Sequence, residues 1–171
     1  MSGILYYTFF SSPFGEICLS ATERGLFYLQ LSKPEEKFFE TIAKEVKVEL
    51  RRDENFFEPL IVDLCGYFAG IPVNFNYPLD LRGTTAFERA VWERVRRIPY
   101  GQVRSYSWIA KELGKPKAAR AVGLALKFNP LPIIIPCHRV IRKNGSLGGF
   151  SGGLEWKKKL LALERGELKL L

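Results

Sequence analysis

The sequence contains few of the residues that build disulfide and metal sites. It has three cysteines, Cys18, Cys65 and Cys137, and one histidine, His138, in 171 residues. Because the cysteines are far apart and irregularly spaced, we expect neither a disulfide framework nor a structural zinc site. Unpaired cysteines are typical of a reducing compartment, and we expect a cytoplasmic protein. No metal or other cofactor is predicted.

Long apolar runs are also missing. No stretch approaches the roughly 18 consecutive apolar residues of a membrane-spanning helix, so no membrane segment is predicted. The first residues, MSGILYYTFF, have no basic region ahead of an apolar block, and we expect no signal peptide. The chain is nevertheless 47% hydrophobic, which is enough for a packed core and argues against disorder.

Acidic residues are scarce in only one half of the chain. Residues 1–84 contain 8 Lys and Arg against 12 Asp and Glu, whereas residues 85–171 contain 18 against 6. The overall charge of +8 therefore comes from the second half. A solvated basic surface is the simple explanation of an evenly spread charge, but this asymmetry predicts a polyanion partner for the C-terminal half. It also predicts a domain boundary between residues 84 and 85.

The N-terminal half is predicted to be a small, strand-rich α/β scaffold. β-Branched and aromatic runs in the first 30 residues are broken by the turn-forming sequences SSPFG and ERG, which predicts strands. One helix is predicted over residues 32–46 and another over ENFFEPLIVDLCGYFAG. Cys18 and Cys65 lie among apolar neighbours, and we interpret both as core thiols.

The C-terminal half is predicted to be a mostly helical, winged helix-turn-helix domain. Thr85 and Glu88 have the spacing of a capping box that begins a helix. The segments SYSWIAKELG and KAARAVGLALKFN predict two short helices around a glycine-containing turn, which is a helix-turn-helix pattern. Asn144 and Gly145 predict a hairpin turn, and a basic hairpin in this position is typical of a wing. GLEWKKKLLALERGEL predicts a final helix.

The second helix of this pair carries several small residues. Among them, Ala119 and Gly123 would let another backbone approach the helix closely. That backbone could belong to DNA or to a neighbouring helix. The basic charge of this half favours a contact with nucleic acid.

The segment PIIIPCHRV, residues 132–140, places a cysteine beside the only histidine. Neighbouring side chains on an extended strand point to opposite faces, which would separate Cys137 from His138. Pro136 interrupts the run, so we expect Cys137 at a turn, where this alternation does not apply. His138 and Arg139 are potential cations that would lower the pKa of the thiol. A buried, unreactive cysteine is the alternative.

Glu164 is predicted to complete a Cys–His–Glu set. Lys157, Leu160, Leu161 and Glu164 fall on one face of the final helix, and a carboxylate on a leucine-bearing face needs a partner. His138 is the obvious candidate, which Glu164 would orient as in a catalytic triad. A salt bridge at the helix end is the alternative.

PCHRV, together with SYSWIA and KAARAVG upstream and GGFSGGL downstream, resembles the O6-alkylguanine-DNA alkyltransferase family. The resemblance covers residues 86–164, about half of the chain. It implies a DNA repair protein that binds duplex DNA through the minor groove and flips an O6-alkylguanine out of the stack. The alkyl group then moves irreversibly to the protein's own cysteine, so each molecule acts once. We expect such a protein to act as a monomer.

The resemblance also assigns roles to the reacting residues. Cys137 accepts the alkyl group, His138 takes the thiol proton through a water, and Glu164 holds His138 in the right tautomer. Tyr106 matches the tyrosine that hydrogen-bonds the guanine at N3. Asn129 matches the asparagine that ties the helix-turn-helix to the active-site turn.

Further matches concern the DNA and the guanine. Arg120 resembles the arginine that fills the gap left by the flipped base, and Ser151 and Lys157 match groups on the O6 side. The recognition helix of the family, which carries Ala119 and Gly123 here, uses the minor groove. Phe150 departs from the tyrosine of many relatives, and the zinc ligands of some relatives' N-terminal halves are absent.

Two other functions account for part of the sequence. A winged-helix protein that senses alkylation damage or regulates transcription without repair explains the charge and the hairpin, but not the Cys–His–Glu set. A cysteine hydrolase explains that set, but not the basic half.

Overall fold

The computed structural model describes residues 3–31 and 36–168. The chain divides into two compact units between Asp80 and Leu81, close to the change in charge along the sequence. The predicted boundary lies four residues further on. No helix within the described ranges is long and apolar enough to cross a membrane.

The N-terminal unit contains a four-stranded sheet. Its strands are β1 (Ile4–Ser12), β2 (Gly15–Thr22), β3 (Gly25–Gln30) and β4 (Glu49–Arg52), in the spatial order β3-β2-β1-β4. The first three strands are antiparallel neighbours, and β4 pairs in parallel with β1. The strand-rich opening predicted from the sequence is therefore confirmed.

Helices cover both faces of this sheet. Phe39 of α1 (Glu36–Val46) stacks on Tyr7 of β1, with 5.1 Å between ring centroids. Phe68 of α2 (Glu58–Phe68) packs against Phe10 of the same strand, at 6.3 Å. Since Tyr7 and Phe10 differ by an odd number of positions, they point to opposite faces. The predicted start of the first helix, residues 32–35, lies outside the described residues.

The two N-terminal cysteines differ in burial. Cys18 lies on β2 and is buried, as expected, whereas Cys65 on α2 is exposed. The apolar stripe of α2 consists of Leu60, Leu64, Tyr67 and Phe68, and Cys65 falls beside it at the 3.6-residue period. The interpretation of Cys65 as a core thiol was therefore wrong.

The C-terminal unit is mostly helical. Its elements are α3 (Ala86–Arg96), β5 (Arg104–Ser105), α4 (Tyr106–Glu112), α5 (Ala119–Lys127), β6 (Val140–Ile141) and α6 (Leu154–Glu164). The predicted capping box begins α3, because the Thr85 hydroxyl accepts from the Glu88 N–H at 3.1 Å and the Glu88 carboxylate accepts from the Thr85 N–H at 2.8 Å. Helices α4 and α5 form the predicted helix-turn-helix pair.

The wing is less regular than a hairpin. Gly145 has the positive φ of 87° that a tight turn requires, and the Arg142 N–H donates to the Ser146 carbonyl at 2.9 Å. However, β6 pairs in parallel with β5 and not with residues after the turn. The predicted turn forms, but within the described residues no strand follows it. The glycine-rich sequence beyond the turn lacks the β-branched residues that favour a strand.

Candidate active site

Cys137 lies in a tight local turn. Pro136 has φ −77° and ψ 63°, and the Cys137 N–H donates to the Ile135 carbonyl at 2.7 Å, which together form an inverse γ-turn. A short 3₁₀ helix, Cys137–Arg139, follows. Ile133 has φ 74°, a rare conformation for a β-branched residue. The prediction that Cys137 sits at a turn is confirmed, and the alternation of an extended strand does not separate it from His138.

Asn129 fixes this turn to the end of α5. Its amide nitrogen donates to the Ile135 carbonyl at 2.9 Å and to the Cys137 Sγ at 3.0 Å. Its amide oxygen accepts from the Leu131 N–H at 2.9 Å. One buried side chain thus links the end of the helix-turn-helix pair, the turn and the sulfur, as the family resemblance implies for this position.

Glu164 sits at the end of α6 and brings several partners together. Its Oε1 lies 2.7 Å from His138 Nε2, and both side chains are buried. Arg139 donates to the same carboxylate from Nε, at 3.0 and 3.1 Å, and from Nη2, at 2.8 Å. The Gly101 N–H donates to Oε2 at 3.2 Å. Both interpretations of Glu164 therefore apply, since it contacts the histidine and also forms a buried salt bridge.

The part played by Arg139 was missed in the sequence. Besides Glu164, its guanidinium donates to the Ile98 carbonyl at 2.7 Å, and it lies 5.8 Å from the ring centroid of Tyr100. Only its place next to His138 hinted at a role. The hydrogen bonds of Arg139 to Glu164 depend on the 3₁₀ turn, because it directs the consecutive side chains of His138 and Arg139 to the same carboxylate.

The environment fixes the charges of this cluster. Burial alone would raise the pKa of the Glu164 carboxyl, but the hydrogen bonds and charges of His138 and Arg139 hold it well below its ordinary value. Burial lowers the pKa of His138, although Glu164 opposes that shift. At neutral pH a carboxylate therefore faces a neutral imidazole. Nε2 carries the proton in that bond, which leaves Nδ1 as the basic nitrogen.

The thiol of Cys137 is not acidic. Burial raises its pKa to about 11, against the Asn129 hydrogen bond and the charge of Lys157, which both lower it. The lowered pKa expected from His138 and Arg139 was thus wrong, because desolvation dominates and Arg139 is paired with Glu164. The sulfur holds its proton at neutral pH and needs a base before it can act as a nucleophile.

Lys157 is buried on α6 and holds the glycine-rich loop. Its ammonium group donates to the carbonyls of Val140, at 2.7 Å, and Gly149, at 3.2 Å, and also to that of Leu147. Burial lowers its pKa to about 8. It lies 5.9 Å from the ring centroid of Tyr106.

A cavity of about 770 Å³ opens beside Cys137, a size within the usual range for ligand sites. The site residues predicted from the sequence fall into two groups around it. Six line the cavity: Tyr106, Ala119, Arg120, Gly123, Cys137 and Ser151. The other four are buried polar residues behind the wall: Asn129, His138, Lys157 and Glu164. Residues lining the cavity that the sequence did not single out as site residues include Lys127, Arg142 and Gly148.

Position 148 requires glycine for two reasons, its backbone conformation and its close approach to Tyr106. It has φ 71°, and a Cβ built on it would lie 2.7 Å from the Tyr106 hydroxyl. Any other residue would push the tyrosine out of place. A Cβ at Gly123, by contrast, would lie 3.8 Å from the Tyr106 ring, an ordinary contact. Within the described residues, no group of three or more His, Cys, Asp or Glu could hold a metal ion.

Two family models match the chain, one in each half. The model described as 6-O-methylguanine DNA methyltransferase, ribonuclease-like domain, matches residues 5–81. The model described as 6-O-methylguanine DNA methyltransferase, DNA binding domain, matches residues 86–166. Both the N-terminal scaffold and the helix-turn-helix half therefore have counterparts in one family.

Similar proteins and structures cover nearly the whole chain. The methylated-DNA–protein-cysteine methyltransferase of Methanosarcina acetivorans is 44% identical over 94% of this chain and 98% of its own. The inducible enzyme of that name from Bacillus subtilis is 42% identical, over 94% and 90%. Among solved structures, Mycobacterium tuberculosis OGT in complex with DNA has a TM-score of 0.82 and 38% identity, over 96% of both chains.

Proposed function

Because this chain belongs to the 6-O-methylguanine DNA methyltransferase family, we propose that it repairs DNA by moving the alkyl group of O6-alkylguanine onto Cys137. In enzyme terms it is a methylated-DNA–protein-cysteine methyltransferase that works stoichiometrically. The observation that carries the proposal is a thiol at the wall of an open cavity, backed by a buried His138–Glu164 pair.

The first step is removal of the thiol proton. Neutral His138 takes it at Nδ1 through a water, while Nε2–H stays bonded to the Glu164 carboxylate. The imidazolium that forms is stabilised by this carboxylate, as in other triads. The Asn129 amide and the charge of Lys157 favour the thiolate, since both lower the pKa of Cys137.

The thiolate then attacks the alkyl carbon. A bond forms between Sγ and that carbon as the bond from carbon to O6 breaks, and the electron pair leaves with the guanine. A hydrogen bond at N3 stabilises the negative charge that develops on the base. Tyr106 suits this role, because it lines the cavity and its phenol, whose pKa burial raises further, stays protonated at neutral pH.

Ser151 and Lys157 act on the O6 side of the base in different ways. Ser151 lines the cavity, where its hydroxyl can reach the guanine. Lys157 is buried, with three carbonyls as acceptors. It therefore acts by shaping the loop around Gly149 and by its charge near Cys137, not by direct contact with O6.

Duplex DNA binds through α5 in the minor groove. Arg120 is exposed at the cavity, where it can enter the base stack and occupy the gap left by the flipped guanine. Ala119 and Gly123 line the same cavity and let the helix approach the backbone closely. Asn129 connects this helix to the reacting sulfur, so that docking of the helix positions the thiol.

Transfer is irreversible, because the thioether product has no good leaving group. Each molecule therefore repairs one lesion, and we expect a monomer to suffice because one chain carries the whole site. The reaction consumes a free thiol, which a reducing cytoplasm preserves.

Intact-mass measurement tests the proposal. The protein is incubated with a duplex containing one O6-methylguanine, and Cys137→Ala is treated in parallel. We expect a mass increase of one methyl group per molecule, located on Cys137 by peptide mapping, and none in the variant. Continued turnover would indicate a hydrolase. DNA binding without any mass change would indicate a winged-helix sensor that does not repair.

A further inference from the structure

Two large apolar side chains are exposed at the C-terminal end of α5, one on the helix and one on the residue that caps it. Leu124 is 56% exposed and Phe128 is 59% exposed. The Phe128 N–H donates to the Leu124 carbonyl at 3.3 Å, so the two residues are one turn apart and their side chains are neighbours on one face. Single exposed apolar residues are common on protein surfaces. Two adjacent ones on a helix proposed to bind DNA need an explanation.

The same face carries positive charge and leads to the cavity. Arg120 lies one turn before Leu124, and Lys127 lies beside Phe128. Both cations line the cavity that contains Cys137, and both are exposed. The apolar pair is therefore continuous with the surface assigned to DNA.

We propose that Leu124 and Phe128 form an apolar contact with the wall of the DNA minor groove, next to the flipped nucleotide. The inference rests on the proposed function and adds two DNA-contacting residues to it. The sugar edges that line the minor groove are apolar, and apolar side chains inserted there unstack and bend the duplex. Lys127 would neutralise a nearby phosphate, and Arg120 enters the base stack one turn away, which together favour DNA over a protein partner.

This contact differs from a phosphate contact in its response to salt. Neutralising a phosphate releases counterions, so affinity from Lys or Arg falls steeply as salt rises, whereas apolar contacts release none. Leu124→Ala and Phe128→Ala should each weaken binding to an undamaged duplex about tenfold at every salt concentration. The slope of log affinity against log salt should stay unchanged. Lys127→Ala should instead reduce that slope by about one.

The matched control is an exposed apolar residue outside α5. Val62 on α2 is 63% exposed, and Val62→Ala should leave both affinity and slope unchanged. Phe128→Leu should retain most of the affinity, because it keeps an apolar side chain. In single-turnover transfer, Phe128→Ala should slow reaction with a duplex about tenfold more than reaction with free O6-alkylguanine. Circular dichroism confirms that each variant is folded.

Several results would overturn the inference. Unchanged affinity in both alanine variants would show that the pair does not touch DNA. A reduced salt slope would show that the variants disturb phosphate contacts. Loss of self-association in sedimentation, with DNA affinity retained, would assign the face to a second copy of the chain. Because the binding measurements use undamaged DNA, they remain informative even if alkyl transfer to Cys137 fails.

Discussion

The two units of the molecule bury polar groups of different kinds. The buried polar residues described in the N-terminal unit are Thr8, Ser20, Thr22 and Asp80. Those described in the C-terminal unit are Asn129, His138, Arg139, Lys157 and Glu164. Four of these five are ionisable, and each contacts Cys137, its turn or the adjoining loop. Buried charge is costly to keep in a fold, and here it is concentrated around the turn that carries Cys137 and the loop beside it.

The two units also differ in the surroundings of their buried thiols, Cys18 and Cys137. Burial raises the pKa of Cys18 to about 12 and that of Cys137 to about 11. Cys18 donates its S–H to the Thr8 carbonyl at 3.3 Å, and the nearby charge of Glu16 raises its pKa further. Cys137 instead accepts a hydrogen bond from Asn129, and the charge of Lys157 lowers its pKa. Burial makes both thiols weak acids, and the proposed mechanism gives only Cys137 a route to the thiolate, through His138.

The largest effect is expected from removing the carboxylate at the centre of the charged cluster. Glu164→Ala leaves Arg139 and His138 buried without their partner, and we expect it to lower the free energy of unfolding by about 3–5 kcal/mol. The matched change in the N-terminal unit is Thr22→Val, which removes a 2.6 Å bond to Asp80 and should cost about 1–2 kcal/mol. Urea unfolding measures both. Equal losses would remove the contrast between the units.

The charge difference between the units should affect the rate of alkyl transfer from duplex DNA. Arg120→Ala should slow transfer from duplex DNA by roughly 10- to 100-fold, because the flipped state loses the group that fills the stack. Its effect on free O6-alkylguanine should be small. Arg24→Ala, at an exposed arginine of the N-terminal unit, is the control and should leave both rates unchanged. Equal losses with both substrates would make Arg120 a structural residue.

The smallest effect is expected at the other buried thiol. Cys18→Ala should change the rate of alkyl transfer by less than about twofold, because the described partners of its S–H are backbone carbonyls, which cannot take the proton as a base would. Peptide mapping of the wild-type protein after reaction should find no alkyl group on Cys18 or on exposed Cys65. Alkyl uptake at either position would show that cysteines of the N-terminal unit can also form a reactive thiolate, which would contradict the contrast between the two units.

Local patterns in the sequence predicted much of this arrangement. The capping box at Thr85 and Glu88 and the helix-turn-helix pair depend on residues close in the chain, and both are confirmed. Helical spacing also placed Glu164 on a face that needs a partner. These features are set by short-range geometry, which a sequence displays directly.

Features that depend on distant pairing were not predictable. The bond from Arg139 to Glu164 joins residues 25 positions apart, and it exists only because the 3₁₀ turn directs Arg139 inward. Two other features also depend on tertiary contacts between distant residues. They are the parallel pairing of β5 with β6 and the hydrogen bonds from Lys157 to the loop carbonyls. The raised pKa of Cys137 was missed because cations are visible in a sequence and desolvation is not.

The central claim is that His138 makes a weakly acidic thiol reactive, and the pH dependence of transfer tests it most directly. His138→Gln removes the base but leaves the Glu164–Arg139 salt bridge. Single-turnover rates are measured from pH 7 to 9.5 for the wild type and the variant, with circular dichroism to confirm folding. Lys157, with a pKa of about 8, loses its charge over this range in both proteins, so the ratio of their rates isolates His138.

In the wild type, neutral His138 takes the proton throughout this range, so ionisation of the thiol adds no pH dependence and only the loss of the Lys157 charge changes the rate. In the variant, the thiolate forms only by ionisation of Cys137, whose pKa is about 11. The ratio of the variant's rate to the wild-type rate should therefore rise about tenfold per pH unit, so that the variant's deficit narrows as the pH rises. A deficit that stays constant from pH 7 to 9.5 in a folded variant would contradict the role of His138 as the base.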